Sequence, residues 1–380
     1  MIRSTIARVD LDALRRNFAA IVGHVSGESH ATPPAVIPVV KANAYGHGAV
    51  PVARALEQAG ATMLACADIE EGVVLREGGV RIPILIFGAL SVSDLDGLVE
   101  FSLTPTISTP GAAKSVEAVA ARRGTTLGYH LEIDTGMHRL GFRHDNVRRT
   151  LPGLLACPHL RLDAVYTHFA TADEPASATF EGQRLRFEDA LSALAELGGR
   201  PPMRHASNSA ALLRDSRVWY DAVRPGLLLY GLVPPPLAST LALTPVMSLT
   251  SRVVAVKGLR AGEGVGYGHT YRADAPRRIA VVPAGYGDGL DTRLCNRGHV
   301  LIRGRRVPVV GAVSMDAMTV DVTGLDDVQP GDEVVILGRQ GVESWQQIDA
   351  REMAAAIGTI PWEIVCRLGT RIERQYVQQS

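Results

Sequence analysis

Residues 36–59 read Val36-Ile37-Pro38-Val39-Val40-Lys41-Ala42-Asn43-Ala44-Tyr45-Gly46-His47-Gly48-Ala49-Val50-Pro51-Val52-Ala53-Arg54-Ala55-Leu56-Glu57-Gln58-Ala59. The run 36–40 is apolar without alternation, as in a strand buried on both faces. A loop of small residues follows, then an amphipathic segment over 50–59. This is a strand–loop–helix unit, and its order of elements recurs down the chain. Apolar runs at 63–67, 84–87, 104–107, 127–133, 162–167, 203–206 and 222–229 alternate with helical patterns at 68–77, 110–122, 146–156 and 177–197. Eight such units predict an α/β fold whose N-terminal part is a (β/α)8 TIM-type barrel rather than an open sheet. A first helix over 11–22, with Asp10 as its N-cap, precedes the first barrel strand.

The pattern changes after Pro234-Pro235-Pro236. Val- and Ile-rich runs at 251–256, 278–283, 299–302, 307–313, 318–322 and 333–337 are separated by turn signals such as Gln329-Pro330-Gly331-Asp332. They predict an all-β C-terminal domain, interrupted by one helix over 348–357. The expected division is 1–237 for the barrel and 238–380 for the β domain, with residues 1–9 read as a strand that joins the latter. A chain of 380 residues, 46% of them hydrophobic, is long enough for two cores.

Bulk properties exclude several classes of partner. The 39 basic and 39 acidic residues cancel, and no basic tract occurs, so neither nucleic acid nor an anionic membrane is expected. The apolar stretch 82–92 is too short to span a bilayer. The start of the chain shows no signal-peptide pattern. Four scattered cysteines, Cys66, Cys157, Cys295 and Cys366, read as free thiols of a cytoplasmic protein. No HExxH or CxxC pattern occurs and no metal is expected. Residues 262–268 lack the GK[ST] of a phosphate-binding P-loop.

Lysine usage singles out one residue. Only Lys41, Lys114 and Lys257 are lysines; the other 36 basic residues are arginines. Lys41 ends an apolar barrel strand, where barrel enzymes carry their chemistry. An amine among apolar neighbours sheds its proton more readily and becomes a nucleophile, which arginine cannot replace. Other strand ends carry Arg139 in Asp134-Thr135-Gly136-Met137-His138-Arg139, His168 in Thr167-His168-Phe169, Asn208 and Ser209 after the seventh strand, and Arg224-Pro225-Gly226-Leu227 after the eighth. Arg139 has the geometry to hold a carboxylate, and the last two strand ends are where barrels bind phosphate. Gly285-Tyr286-Gly287-Asp288-Gly289 and Ser314-Met315-Asp316 lie in the β domain. Each taken alone also reads as an ordinary turn or a surface ion pair.

Together the segments VVKANAYGHG, DTGMHRLG, THFATADE, VRPG, GYGDG and SMD resemble the alanine racemase family. The similarity runs nearly end to end. It implies a cofactor, pyridoxal 5'-phosphate, carried by Lys41, a small amino-acid substrate, and a homodimer whose active sites are shared between subunits. By matching position, Tyr45, Asn208, Ser209, Gly226, Leu227 and residue 362 hold the phosphate. Arg139 lies near the cofactor's phenolic oxygen and Arg224 contacts its pyridine nitrogen. His168 lies beneath the ring, and Met315 helps receive the substrate carboxylate. Lys41 and Tyr286 are the two opposing bases. A tyrosine hydroxyl is ordinarily too weak an acid to serve unaided, and His168 is the neighbour expected to assist it.

Two residues depart from the family pattern. Glu132 stands where many members carry a carbamylated lysine that orients the arginine, and as an anion it suits the same task. Trp362 stands where the family has tyrosine, trading a hydroxyl for an indole N–H and more bulk. The resemblance implies interconversion of L-alanine and D-alanine for peptidoglycan, with serine or lysine as the alternative substrate that Trp362 keeps open. It also leaves open a regulatory barrel that binds the cofactor without catalysis, which would lack the β domain. A decarboxylase of the same two-domain type is disfavoured, because no GGG phosphate loop is present.

Overall fold

The computed structural model describes residues 4–27, 32–90, 94–341 and 345–377. The chain forms two compact units. One comprises Leu14–Ala44 and Ala49–Leu243; the other comprises Met1–Ala13, Tyr45–Gly48 and Thr244–Ser380.

The first unit is the barrel. Its parallel strands are Ala35–Val36, Leu64–Cys66, Ile84–Ile86, Thr104–Ile107, Leu127–Asp134, Leu160–Tyr166, Met203–His205 and Ala222–Val223. From Leu64–Cys66 onward each strand pairs in parallel with the next. Ala222–Val223 pairs back onto Ala35–Val36. A parallel bridge from Val39 to Ala65 closes the ring. Leu64–Cys66 and Ile84–Ile86 are buried at every residue, which is why these strands read as unbroken apolar runs. Some of the helices start on side-chain caps. Asp68 accepts the Glu71 N–H at 2.8 Å, and Thr109 accepts the Ala112 N–H at 3.1 Å just ahead of Pro110.

Two barrel expectations need correction. The eighth strand does not run over 222–229. It stops at Val223, and Leu227–Tyr230 is a fully buried 3₁₀ turn. Pro225 has no N–H to continue the ladder, and a buried apolar run looks the same in either state. The helical pattern over 146–156 is broken into Val147–Thr150 and Pro152–Leu155, because Pro152 opens a new turn.

The second unit is rich in sheet. Its largest sheet orders Arg305–Pro308, His299–Ile302, Glu333–Gln340, Met247–Arg252, Ile6–Asp10 and Glu373–Val377. Ile6–Asp10 lies antiparallel to Met247–Arg252 and parallel to Glu373–Val377; residues 1–3 of that expected strand lie outside the described residues. Asp10 accepts the N–H groups of Asp12 and Ala13 as the N-cap of Leu11–Gly27. A three-stranded sheet joins Ala255–Leu259, Arg277–Val282 and Met318–Asp321. The single run expected over 251–256 is thus two strands in two sheets. Val253 N–H bonds to Asp332 and Val254 N–H to Val281, a switch that periodicity cannot register. The run expected over 307–313 pairs as a strand only at Arg305–Pro308, with one further bridge at Val309. The expected helix is Ala350–Ile357, and a second short helix, Pro361–Cys366, follows it. Among the described residues no helix is long and apolar enough to cross a membrane.

Candidate active site

Lys41 leaves the barrel wall directly after Val40 and is half-buried. The four residues that follow it have left-handed backbones, with φ of 53° at Ala42, Asn43 and Ala44 and 52° at Tyr45. Such a conformation costs L-residues roughly 1–2 kcal/mol each, so it persists only where the surroundings enforce it. Ala44 N–H donates to the Val40 carbonyl at 2.9 Å, and Asn43 Oδ1 accepts the Ala49 N–H at 2.7 Å.

Arg224 is the hub of the barrel end, only 3% exposed. Its Nη1 donates to His205 Nδ1 at 2.6 Å, and its Nη2 donates to the Thr167 and Ala206 carbonyls and to His168 Nδ1 at 3.3 Å. Its guanidinium lies over the Tyr166 ring at 5.0 Å. Burial lowers its pKa to about 10, with Tyr166 and Glu132 opposing, so it stays cationic at neutral pH. A guanidinium can only donate. His205 and His168 must therefore accept at Nδ1 and carry their protons on Nε2. His205 Nε2 in turn donates to His130 Nδ1 at 2.9 Å, so the direction of the whole chain is set by Arg224. Burial, and next the Arg224 charge, hold His168 and His205 well below the usual imidazole range. Burial takes His130 down to about 4. All three are uncharged at neutral pH. Arg139 and Lys41 also lower the pKa of His168 electrostatically.

Glu132 is 6% exposed, and its Oε2 is buried without a hydrogen-bond partner. Burial raises its pKa from 4.5 to about 7 against the pull of Arg224 and Arg139. The native state thus holds this proton more tightly than the unfolded chain. The resulting stability is fully present below pH 4.5 and is lost as pH rises through about 7. Glu132→Gln mimics the protonated acid. It is expected to unfold like the parent near about pH 4 and to be more stable by about 3 kcal/mol near about pH 8. Urea unfolding at the two pH values measures this, and an equal difference at both would contradict it.

Ser209 is buried, and its Oγ accepts the N–H groups of Gly226 at 3.0 Å and Leu228 at 3.4 Å. With its lone pairs so used, the hydroxyl proton is available to an anion. Asn208 is the N-cap of Ser209–Arg214, its Oδ1 accepting the Ala211 N–H at 2.9 Å. Leu227 opens the 3₁₀ turn next to Gly226.

Tyr45, Tyr286, Met315 and Trp362 belong to the other unit. There the structure joins the two short motifs. Tyr286 N–H donates to the Ser314 carbonyl at 3.0 Å and Gly287 N–H to the Met315 carbonyl at 2.9 Å. A Cβ on Gly285 would stand 2.1 Å from the Ser314 carbonyl oxygen, so only glycine fits. Buried Asp288 accepts the Gly285 N–H at 3.0 Å. Tyr286 and Met315 remain 46% and 51% exposed. Trp362 is half-buried on Pro361–Cys366. Gly46, next to Tyr45, lies so close to that helix that a Cβ would meet the Val365 carbonyl oxygen at 2.1 Å.

Several supporting residues escaped sequence reasoning. His130, His205 and Tyr166 sat inside strands and read as core. Gln183 ties two catalytic-end loops together, donating to Thr135 Oγ1 and the His168 carbonyl and accepting the Ala170 N–H. Arg214 donates to the carbonyls of Thr171, Ala172, Glu174, Pro175 and Ser177 and so fixes the loop after His168. No spacing announces either residue.

The barrel carries a lysine at one strand end, a buried arginine hub and a buried serine hydroxyl, and the sheet unit exposes a tyrosine; comparisons with known proteins supply the class, an isomerase. The family model "Alanine racemase, N-terminal domain" matches residues 9–234 and "Alanine racemase, C-terminal domain" matches 246–376. The chain is 42% identical to the alanine racemase of Symbiobacterium thermophilum over 98% of this chain and 97% of that one. It is 40% identical to the alanine racemase of Nostoc sp., covering 96% and 94%. Among solved structures, the alanine racemase of D-cycloserine-producing Streptomyces lavendulae superposes with a TM-score of 0.92 at 34% identity, covering 100% and 98%. That of Bacillus anthracis with bound L-Ala-P gives 0.89 at 36% identity, covering 100% and 96%. The chain belongs to the alanine racemase family of isomerases.

Proposed function

We propose that the chain interconverts L-alanine and D-alanine with pyridoxal 5'-phosphate, as a cytoplasmic homodimer supplying D-alanine for peptidoglycan. The placement of Lys41, Arg139, His168 and Arg224 after the C-terminal ends of four parallel barrel strands carries this reading. The residues fit the cofactor chemically. Lys41 supplies the amine. The Ser209 hydroxyl, with the backbone around Gly226 and Leu227, suits a phosphate. Arg224, a permanent donor, suits an unprotonated pyridine nitrogen. Tyr45, Asn208 and Trp362 complete the phosphate end, Asn208 by capping the turn that carries Ser209.

When bound, the cofactor supplies an electron sink that lets an amino acid release its α-proton. Lys41 Nζ then takes or returns that proton on the D face. Tyr286 Oη, from the second subunit, does so on the L face. His168, neutral and protonated on Nε2, donates toward that tyrosine oxygen and stabilises it as an anion. Arg139 and Met315 receive the substrate carboxylate. Glu132, in its ionised form, attracts Arg139 electrostatically and suits the carbamate's task without modification.

Turnover of L-alanine, L-serine and L-lysine, measured side by side with added pyridoxal phosphate, tests the substrate. Alanine is expected to lead by on the order of tenfold or more. Negligible alanine turnover beside brisk serine or lysine turnover would reassign the substrate. Trp362→Tyr, in the same panel, is expected to keep alanine first and to change cofactor affinity by less than about tenfold. A switch of preferred substrate would make residue 362 the selector.

A further inference from the structure

We propose that Glu71 is a positioning residue for Lys41, its carboxylate replacing the ladder rung lost where the first barrel strand ends. Between the first two barrel strands the ladder is regular up to this point. Ala65 N–H donates to the Pro38 carbonyl at 2.9 Å, and Val40 N–H donates to the Ala65 carbonyl at 2.8 Å. In a parallel pair the next rung would send Ala67 N–H to the Val40 carbonyl and Ala42 N–H to the Ala67 carbonyl. Neither bond forms. The Val40 carbonyl accepts Ala44 N–H at 2.9 Å from within the left-handed turn, and the Ala67 carbonyl accepts Gly88 N–H at 2.7 Å.

Both displaced donors are taken by one side chain. Glu71 Oε1 accepts Ala42 N–H at 2.6 Å, and Oε2 accepts Ala67 N–H at 2.8 Å. Water can reach these donors, since Ala42 is exposed and Ala67 half-buried, yet one carboxylate takes both, because it offers two equivalent acceptor oxygens. Glu71 itself is fixed, because its own N–H is capped by Asp68 at 2.8 Å. In a regular capping box its carboxylate would reach back to the Asp68 N–H; here it reaches one residue further, and across to the next strand. Ala42 is bonded to Lys41 in the chain. The clamp therefore sets the direction in which the lysine leaves the barrel and secures the first left-handed residue of the strained turn.

The proposal rests on Lys41 as the cofactor's lysine, yet its test does not depend on turnover. Lys114 and Lys257 are exposed and lie on other elements, so they serve as internal standards for amine labelling. In the full chain, Glu71→Gln keeps the size but leaves one N–H facing an amide donor, and Glu71→Ala removes both acceptors. The readouts are the pH profile of Lys41 acylation relative to Lys114 and Lys257, amide exchange over 41–45, and the release rate of added pyridoxal phosphate.

For either variant, exchange over 41–45 and cofactor release are expected to quicken by on the order of tenfold, with the Lys41 labelling profile displaced. If the variants lose thermal stability while the labelling profile and cofactor release match the parent, Glu71 is a brace for the fold alone and the proposal fails. Should Glu71→Ala not fold, Glu71→Gln decides by itself, since parent-like behaviour there also refutes the clamp. Failure of the racemase reading is distinct: the parent chain itself would then show no saturable protection of Lys41 by pyridoxal phosphate.

Discussion

Lys41→Ala is expected to abolish the visible absorption of lysine-bound pyridoxal phosphate and to lower racemisation by on the order of 10⁴-fold or more. The loss should be this large because no other amine can take over. Lys114 lies on the exposed face of Pro110–Arg122, and Lys257 is exposed on Ala255–Leu259 of the sheet unit. Lys41→Arg should not rescue the activity, since a guanidinium neither bonds to the cofactor's carbonyl carbon nor gives up its proton near neutral pH. Absorbance and polarimetry on the purified variants measure both effects. A Lys41→Ala protein that stayed yellow would move the cofactor's lysine elsewhere.

The second large effect concerns Tyr286. Enantiomers have equal free energies, so losing either base lowers racemisation equally in both directions. The informative quantity is exchange of the α-hydrogen with solvent. Tyr286→Phe is expected to lose racemisation by about 10²–10⁴-fold and to lose exchange from L-alanine. D-alanine should still exchange its α-hydrogen, because Lys41 acts on that face. Mass spectrometry in heavy water separates the two. If L-alanine exchanged at the parent's rate in Tyr286→Phe, the base on that face would be another group. The glycines flanking Tyr286 already account for its placement, because Gly285 alone permits the close approach to Ser314 and Met315.

Much of the barrel could be read from the amino-acid sequence because strands buried on both faces leave unbroken apolar runs, and 104–107 is a strand to the residue. Caps such as Asp10, Asp68 and Thr109 mark helix starts through local chemistry. The left-handed turn after Lys41 has no such signature. Ala42 and Ala44 do not favour positive φ, and the side chain that bonds to Ala42, Glu71, lies nearly thirty residues away. The same holds for the Arg224–His205–His130 chain, whose members are isolated polar residues within apolar strands until the barrel closes. Strand ends 222–229 and 251–256 were misread because Pro225 and a change of sheet interrupt pairing without interrupting hydrophobicity. Lys41, Arg139, His168 and Arg224 are different, since a strand end is itself a position that the pattern identifies.

The account's central claim is that Lys41 of one subunit and Tyr286 of another serve the same site. Lys41→Ala and Tyr286→Phe chains, each inactive alone, can be dissociated together and reassociated. Random pairing makes half of the dimers mixed, and in each mixed dimer one site combines an intact Lys41 with an intact Tyr286 while the other lacks both. Alanine racemisation is therefore expected to recover to about a quarter of the parent's. A reassociated mixture that remains as inactive as its parts, with mixed dimers demonstrated by mass spectrometry, would contradict the claim.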